Sequence, residues 1–120
     1  MNTRGIRGAT TVSENTKQAI INETKALILE MLTLNDIDKE NIVSIFFSVT
    51  QDLDAVFPAA AARELDLIHT PLLCLNEINV PNSLKKCIRV LIHANSPLKQ
   101  SEIKHVYLNE ATSLRPEFAR

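Results

Sequence analysis

Residues 42–50 of this 120-residue chain read IVSIFFSVT and constrain its fold more than any other segment. The run is β-branched, aromatic and almost continuously apolar, which is typical of strands buried on both faces of a sheet. We therefore predict a central strand over residues 42–50, covered on both sides.

Residues 14–34 predict one long helix, amphipathic and laid across the sheet. Its apolar side chains recur at helical spacing: Ile20, Ala26, Leu27, Ile28, Met31, Leu32 and Leu34. Thr11 and Glu14 have the spacing of a capping box, and Ser13 is a competing N-cap. The polar pair at 35–36 is expected to end the helix.

Four other segments predict strands, at residues 3–9, 72–75, 87–94 and 104–108. One short helix is expected with Pro58 near its first turn, and another starting at Ser96-Pro97. The sequence NVPNS indicates a turn. Within 87–94, alternation divides the side chains between two faces, with Ile88, Val90 and Ile92 on one and Cys87, Arg89, Leu91 and His93 on the other.

The resulting order β-α-β-α-β-β-α-β predicts the α+β class. We expect a single domain over residues 1–120, with one mixed β-sheet and with the long helix and short helices on one face. The other face would be free for a partner subunit or a ligand. Residues 109–120 form a C-terminal tail, and the sequence leaves open whether this tail is mobile and orders on binding.

Composition argues against several classes of partner. The net charge of −1 and an aromatic content of 4% without tryptophan disfavour nucleic acid and acidic membranes. The N-terminus lacks the apolar core of an export signal, and no stretch reaches the roughly 18 apolar residues of a membrane helix. Cys74 and Cys87 are then expected to be reduced thiols. We expect a cytoplasmic protein.

The sequence predicts no metal and no cofactor. His69, His93 and His105 lack metal-ligand spacing, and core or surface histidine is the simpler interpretation of each. Neither serine nor cysteine lies in a nucleophile elbow. The segment GIRG is too short for a dinucleotide or phosphate loop.

The only two glycines, Gly5 and Gly8, flank Arg7 in the first predicted strand. Glycine is used where the backbone needs unusual dihedral angles or where another group approaches the main chain closely. Their position therefore predicts that Arg7 is presented to an anion. A salt bridge across the sheet or at a subunit contact is the alternative.

Arg89 is the sharpest of the remaining candidates, because it lies mid-strand between Ile88 and Val90 with no acidic residue near it in sequence. A charge in such a place must be paired or must face a polar cleft. A salt bridge at the sheet edge or at a subunit contact is an equally weighted alternative.

Arg115, Glu77 and Tyr107 complete the candidate set. Tyr107 could instead be a core tyrosine with a satisfied hydroxyl group, and Glu77 could be a solvated loop carboxylate. Several arginines on strands, together with one carboxylate and one tyrosine, favour recognition of a small polyanionic ligand.

Four blocks carry a resemblance that spans residues 4–116: RGIRGATTV, DLDAVFPAAAAREL, PLLCLNEINVPNSLKKCIRVL and IKHVYLNEATSLRP. Together they resemble the monofunctional chorismate mutases of the trimeric α/β class, which is distinct from the all-helical class. The resemblance implies a Claisen rearrangement of chorismate to prephenate, in phenylalanine and tyrosine biosynthesis. It also implies a homotrimer with a barrel-like core and with active sites between neighbouring subunits.

By the family pattern, Arg7, Arg89 and Glu77 would be the catalytic residues. Arg7 and Tyr107 would hold the carboxylate of the enolpyruvyl side chain, and Arg89 would reach that carboxylate and the ether oxygen. Glu77 and the region of Cys74 would contact the ring hydroxyl group.

The resemblance implies further substrate contacts. The backbone of Leu73, Cys74, Leu75, Asn76 and Glu77 would line the pocket. The adjacent subunit would contribute Phe57, Ala59 and Arg63. Leu114 and Arg115 of the tail would close over its mouth.

Two departures from the family pattern are visible. Some relatives carry a basic residue where this chain has Ala60, so an anchor for the ring carboxylate would be missing there. The link over residues 64–71 is one residue shorter, which puts the local register in doubt. Two alternatives stay open: a non-enzymatic trimeric domain that binds a small anionic metabolite, and a structural interaction domain whose arginines lie in subunit salt bridges.

Overall fold

Five strands and two α-helices make up the fold in a computed structural model, which describes residues 1–118. The strands are β1 (Asn2–Thr11), β2 (Ile42–Val49), β3 (Leu72–Asn76), β4 (Cys87–Ser96) and β5 (Val106–Tyr107). The α-helices are α1 (Lys17–Leu34) and α2 (Ala59–Glu64). Short 3₁₀ helices span Lys39–Asn41, Gln100–Glu102, Asn109–Ser113 and Pro116–Phe118.

The strands form one mixed sheet in the order β3-β2-β4-β1-β5. β4 is antiparallel to both of its neighbours, whereas β3 runs parallel to β2 and β5 runs parallel to β1. The predicted α+β class, mixed sheet and short helix after Pro58 are confirmed.

α1 packs against one face of the sheet and supplies much of the core. Its buried side chains are Ile20, Ile21, Thr24, Leu27, Ile28, Met31 and Leu32. The hydroxyl group of Thr24 donates to the carbonyl of Ile20 at 2.7 Å, which satisfies the buried polar atom. Ala26 is exposed, so its predicted place on the apolar face is wrong.

The predicted N-cap of α1 is also wrong. Thr16 caps the helix, with its side chain accepting a hydrogen bond from the backbone N–H of Ala19. Thr11 instead belongs to β1 and pairs with Cys87 of β4. The hydroxyl oxygen of Thr11 accepts a hydrogen bond from the backbone N–H of Glu110. Strand pairing therefore outweighs the local capping signal. The helix ends as expected, at the C-cap Asn35.

β2 is an interior strand, as predicted, but the prediction that both of its faces are covered is wrong for this chain. Ile45 and Phe47 are fully buried on the face where the helices pack, whereas Val43 and Phe46 on the other face are 44% and 37% exposed. An unbroken apolar run indicates that both faces of the strand are apolar, but the helices of this chain cover only one of them. The second face, which we call the open face, is uncovered over β2 and β3 as the order of elements predicted, whereas at β1 the C-terminal tail packs on it around Ala9.

Two of the element boundaries that differ from the predictions are explained by hydrogen bonding, each in its own way. A short helix was expected from Ser96-Pro97, but β4 continues to Ser96 because β1 begins early enough to pair with it. A strand was expected over 104–108, but β5 begins only at Val106. The amide oxygen of Asn35 accepts from the N–H of Lys104 at 2.7 Å, and its amide nitrogen donates to the carbonyl of the same residue, so side-chain bonds replace strand pairing.

The tail predicted over residues 109–120 begins with the 3₁₀ helices at Asn109–Ser113 and Pro116–Phe118. Its residues 119 and 120 lie outside the part of the chain that the structure describes.

The two glycines do not serve the predicted purpose. Neither has a positive φ, so no unusual backbone dihedral is needed at either position. A Cβ on Gly8 would lie 2.5 Å from Sδ of Met31 and 3.0 Å from Cδ1 of Leu27, both on α1. A Cβ on Gly5 would meet nothing closer than 3.9 Å. Close approach is indeed the reason for Gly8, but the group that approaches is α1 and not an anion.

We expect Gly8→Ala to destabilise the fold by about 1–3 kcal/mol, because the added methyl group overpacks a buried contact between β1 and α1. Gly5→Ala is the matched control on the same strand and should change the free energy of unfolding by no more than about 0.5 kcal/mol. Urea unfolding at equal protein concentration measures both values. Equal effects of the two substitutions would contradict this account of Gly8.

Candidate active site

Arg7 and Arg89 lie on the open face of the sheet. In the register, Arg89 pairs with Ser48 on β2 and with Ala9 on β1, whereas Arg7 pairs with Leu91. Residues paired across antiparallel strands share a face, so the two arginines lie on the same side. The predicted division of β4 is confirmed, since Ile88, Val90 and Ile92 are buried against the helices.

Glu77 lies beside Arg89 at the end of β3. Its backbone N–H donates to the carbonyl of Val49 at 2.9 Å, which extends the pairing of β3 with β2 by one bond. Its Oε2 lies 3.4 Å from Nε of Arg89 and accepts a hydrogen bond of 2.6 Å from the hydroxyl group of Ser48. The predicted salt bridge of Arg89 therefore exists, within one chain and across three adjacent strands.

That salt bridge leaves Arg89 incompletely satisfied. Nε of Arg89 is buried and forms no hydrogen bond with any group among residues 1–118, although the side chain as a whole is 43% exposed. A buried N–H without an acceptor is costly and calls for an explanation such as a ligand. The rest of the guanidinium is accessible from the open face.

A concavity of about 370 Å³ opens beside these groups. It is lined by polar and charged side chains around an apolar floor: Arg7, Gly8, Phe46, Phe47, Ser48, Leu75, Arg89, Val90, Leu91 and Tyr107. Two guanidinium groups and a phenol in one apolar recess favour a small anion.

Tyr107 on β5 is 4% exposed and packs with Ala9 and Ala111 in a small cluster of its own, to which Leu114 adds from the tail. Tyr107 is therefore a packed tyrosine, as the alternative held, and it also borders the concavity, as a ligand-binding residue would.

Arg115 is placed near Arg7 by the tail. Both guanidinium groups lie over the ring of Phe118, with Cζ at 4.7 Å and 5.9 Å from its centroid. Arg115 also forms an ion pair of 2.6 Å with Glu117, and both partners are substantially exposed. An exposed pair of this kind contributes little to stability, so Arg115 can exchange Glu117 for another anion at small cost.

Phe57, Ala59 and Arg63 lie away from the concavity. Phe57 precedes α2 and is 70% exposed, and Arg63 is exposed on α2. α2 packs with α1 on the helix-covered side of the sheet. Ala59 is only 4% exposed in that core.

The residues predicted from β3 divide between two faces. Leu73 and Leu75 are exposed and pair with Phe46 and Ser48, on the open face. Cys74 pairs with Phe47 and packs against the core below the helices. Asn76 and Cys74 line a second concavity of about 550 Å³, together with Phe57. One chain therefore does not bring all the predicted site residues together.

Two titratable groups beside the site are shifted by their surroundings. Burial raises the pKa of the Cys87 thiol to about 11, so that Cys87 stays protonated and is no nucleophile. Desolvation, and then the charges of Arg7 and Arg115, lower the pKa of His105. A neutral His105 fits its contact, because its Nδ1 accepts a 2.9 Å hydrogen bond from the backbone N–H of Arg7.

Cys74 and Cys87 are both free thiols, as expected. No group of three potential metal ligands occurs among residues 1–118. Within the same range, no helix combines the length and the apolar character needed to cross a bilayer.

The sequence analysis missed Ser48 and Phe118. A signal for Ser48 was present, because alternation along β2 puts Ser44, Phe46 and Ser48 on one face, and the two serines are the polar exceptions in an apolar run. For Phe118 no comparable signal exists, since its partners are set by how the tail folds back.

Comparisons with known proteins identify the family of the chain. The family model described as "Chorismate mutase type I" matches residues 3–118. The chain is 47% identical over 115 residues to "Chorismate mutase AroH" of Thermus thermophilus, and the aligned region covers 95% of this chain and 94% of that protein. It is 43% identical over 117 residues to "Chorismate mutase AroH" of Bacillus subtilis (strain 168), with 97% and 92% covered.

A solved structure titled "Chorismate mutase from Clostridium thermocellum Cth-682" superposes with a TM-score of 0.90 at 53% identity, covering 91% of this chain and 97% of that one. The matches extend over nearly the whole chain and include every strand of the sheet. This chain therefore belongs to the type I chorismate mutase family.

Proposed function

We propose that the open face carries out the Claisen rearrangement of chorismate to prephenate, in the biosynthesis of phenylalanine and tyrosine. The observation that carries the proposal is the partly exposed guanidinium of Arg89, which shares a recess with Arg7 and whose Nε forms no hydrogen bond with any group among residues 1–118. Chorismate has two carboxylates and an ether oxygen, all of which can accept hydrogen bonds from guanidinium groups.

The chemistry explains why so few functional groups are needed. The rearrangement is unimolecular and concerted: the C–O bond of the ether breaks as a C–C bond forms. No proton is transferred and no nucleophile is consumed, so the reaction requires no catalytic triad, metal or cofactor. Two tasks remain for the protein, one conformational and one electrostatic.

The conformational task is to fold the flexible enolpyruvyl arm over the ring into a chair-like geometry. Guanidinium groups that hold the carboxylates achieve this, because they fix orientation before the reaction begins. Arg7 and Tyr107 would hold the carboxylate of the arm. Leu114 and Arg115 would close over the bound molecule, with Arg115 released from its exposed ion pair with Glu117.

The electrostatic task falls to Arg89. As the C–O bond breaks, the ether oxygen gains negative charge, and a cation already fixed beside it stabilises the transition state more than the ground state. Arg89 suits this role because β4 is paired on both sides, which fixes its position, and because arginine stays charged at any working pH. Glu77, with the backbone of residues 73–77, would bind the ring hydroxyl group.

We further propose that three copies of the chain assemble with their open faces towards a common, barrel-like core. The support is the uncovered apolar surface of that face, where Val43, Phe46, Leu73 and Leu75 are all exposed. Contiguous exposed apolar residues of this kind mark interfaces between proteins. Active sites would then lie between subunits, and a cytoplasmic location fits both the free thiols and the reaction.

Assembly would also bring the separated site residues together. In one chain, α2 and Arg89 lie on opposite sides of the sheet. Phe57, Ala59 and Arg63 would reach a recess formed by a neighbouring copy. Ala60 is half-buried and uncharged, so no ring-carboxylate anchor is expected from that position.

The proposal is tested by incubating the purified protein with chorismate and identifying prephenate as the product. Acceleration over buffer is the expected result. A domain that only binds an anionic metabolite would bind chorismate without consuming it, and a structural interaction domain would show neither effect.

A further inference from the structure

Ser48 occupies a central place among the charged groups on the open face. It lies on β2, paired with Arg89 of β4 on one side and with Leu75 of β3 on the other. Glu77 follows Leu75 by two residues, and residues two apart in an extended segment lie on the same face. The side chain of Glu77 is therefore on the same face as Ser48. The Glu77 carboxylate thus contacts both the hydroxyl group of Ser48 on β2 and the guanidinium of Arg89 on β4.

Ser48 and Arg89 both contact the same carboxylate oxygen of Glu77, but only Ser48 forms a hydrogen bond with it. The Ser48 hydroxyl group donates to Oε2 of Glu77 at 2.6 Å, a length typical of a charge-assisted bond. Nε of Arg89 lies 3.4 Å from that oxygen and does not donate to it. No residue in the range 1–118 donates a hydrogen bond to the other oxygen, Oε1.

This arrangement has a consequence for both charged groups. The bond from Ser48 fixes Oε2 of Glu77, which lies 3.4 Å from Nε of Arg89. The exposed part of the Arg89 guanidinium then faces the recess for an incoming acceptor, and Oε1 of Glu77 stays ready to accept from a hydroxyl group. Without Ser48, the carboxylate would lose its 2.6 Å hydrogen bond and be free to rotate relative to Arg89 and the recess.

We propose that Ser48 is a positioning residue, which holds the Glu77 carboxylate in place so that Arg89 and Glu77 both remain available to the substrate. The inference rests on the proposed function. It adds to it a residue that touches no reacting atom and acts only through Glu77.

The test is a comparison of steady-state kinetics with chorismate. Ser48→Ala should lower kcat by about 10- to 100-fold, on the scale of one hydrogen bond to a charged group, and should raise KM less than it lowers kcat. Ser48→Thr keeps a hydroxyl group at the same position and should restore most of the lost turnover. The thermal midpoint of each variant shows whether it is folded.

Ser44→Ala provides a matched control. Ser44 lies on the same face of β2, and its hydroxyl group is within 3.3 Å of Nδ1 of His93, away from the carboxylate. This substitution should leave kcat unchanged.

A double-mutant cycle separates positioning from a general structural role. In a Glu77→Ala background, Ser48→Ala should cause no further loss, because its only route to the reaction has been removed. The same fold-loss in both backgrounds, or a Ser48→Ala protein as fast as the wild type, would overturn the inference while leaving the proposed function intact. If the wild-type protein itself does not consume chorismate, the proposed function fails and this inference fails with it.

Discussion

Arg89→Ala is expected to lower kcat for chorismate by at least about 10²-fold, the scale of losing one preorganised donor to a developing negative charge (~3 kcal/mol). The reason is that Arg89 is fixed on an interior strand and presents a partly exposed guanidinium, whose Nε forms no hydrogen bond with any group in the described range 1–118. Its interaction with the ether oxygen should strengthen as the C–O bond breaks, so the loss falls on kcat more than on KM.

A neutral substitution separates charge from shape. Arg89→Gln keeps a polar side chain that can donate hydrogen bonds, yet it should fail almost as badly as alanine because the positive charge is absent. Arg4→Gln is a suitable control, since Arg4 also lies on an interior strand but donates through its Nε to the carbonyl of Leu98, outside the recess. Near-normal turnover by Arg89→Gln, with only weaker binding, would show that the charge argument is wrong.

Much of the fold could be predicted because its signals are local. Alternation along β4 assigned Arg89 and Ile88 to opposite faces, and the register confirms this division. The order of strands and helices indicated the α+β class and left one face of the sheet uncovered. These features depend on residues a few positions apart, which periodicity describes well.

The errors occurred where two signals competed or where the partner was distant. Gly8 signalled a close approach correctly, but sterics alone cannot tell an approaching helix from an approaching anion, and the partner was Met31. Thr11 had capping-box spacing, yet pairing with β4 drew it into the sheet. The apolar run of β2 indicated two covered faces, although this chain covers only one.

The candidate active site was predictable in its residue types but not in its geometry. Ser48, Glu77 and Arg89 are separated along the sequence and meet only through the register of three strands. No sequence period encodes that register. The residues assigned to the site through family resemblance lie on both sides of the sheet, which a list of residues does not reveal.

Mixing two impaired variants is expected to restore activity if the sites lie between subunits. Arg89→Ala removes the cation at the ether oxygen, and Arg63→Ala should chiefly raise KM, so both are slow at low substrate concentration. In hybrid trimers formed by co-expression, some sites combine an intact Arg89 from one subunit with an intact Arg63 from its neighbour. Random assembly of equal amounts gives about a quarter of such sites.

A second mixture supplies the control for this recovery. Arg89 and Glu77 form their ion pair within one chain, so hybrids of Arg89→Ala with Glu77→Ala contain no site with both residues intact. That mixture should stay inactive. Separation of differently tagged subunits, with mass measurement, shows that hybrids have formed. If verified hybrids of Arg89→Ala with Arg63→Ala stayed as slow as either parent, Arg63 would not complete a neighbour's site. The exposed α2 surface of each copy would then need another role, because within one chain the sheet separates Arg63 from Arg89.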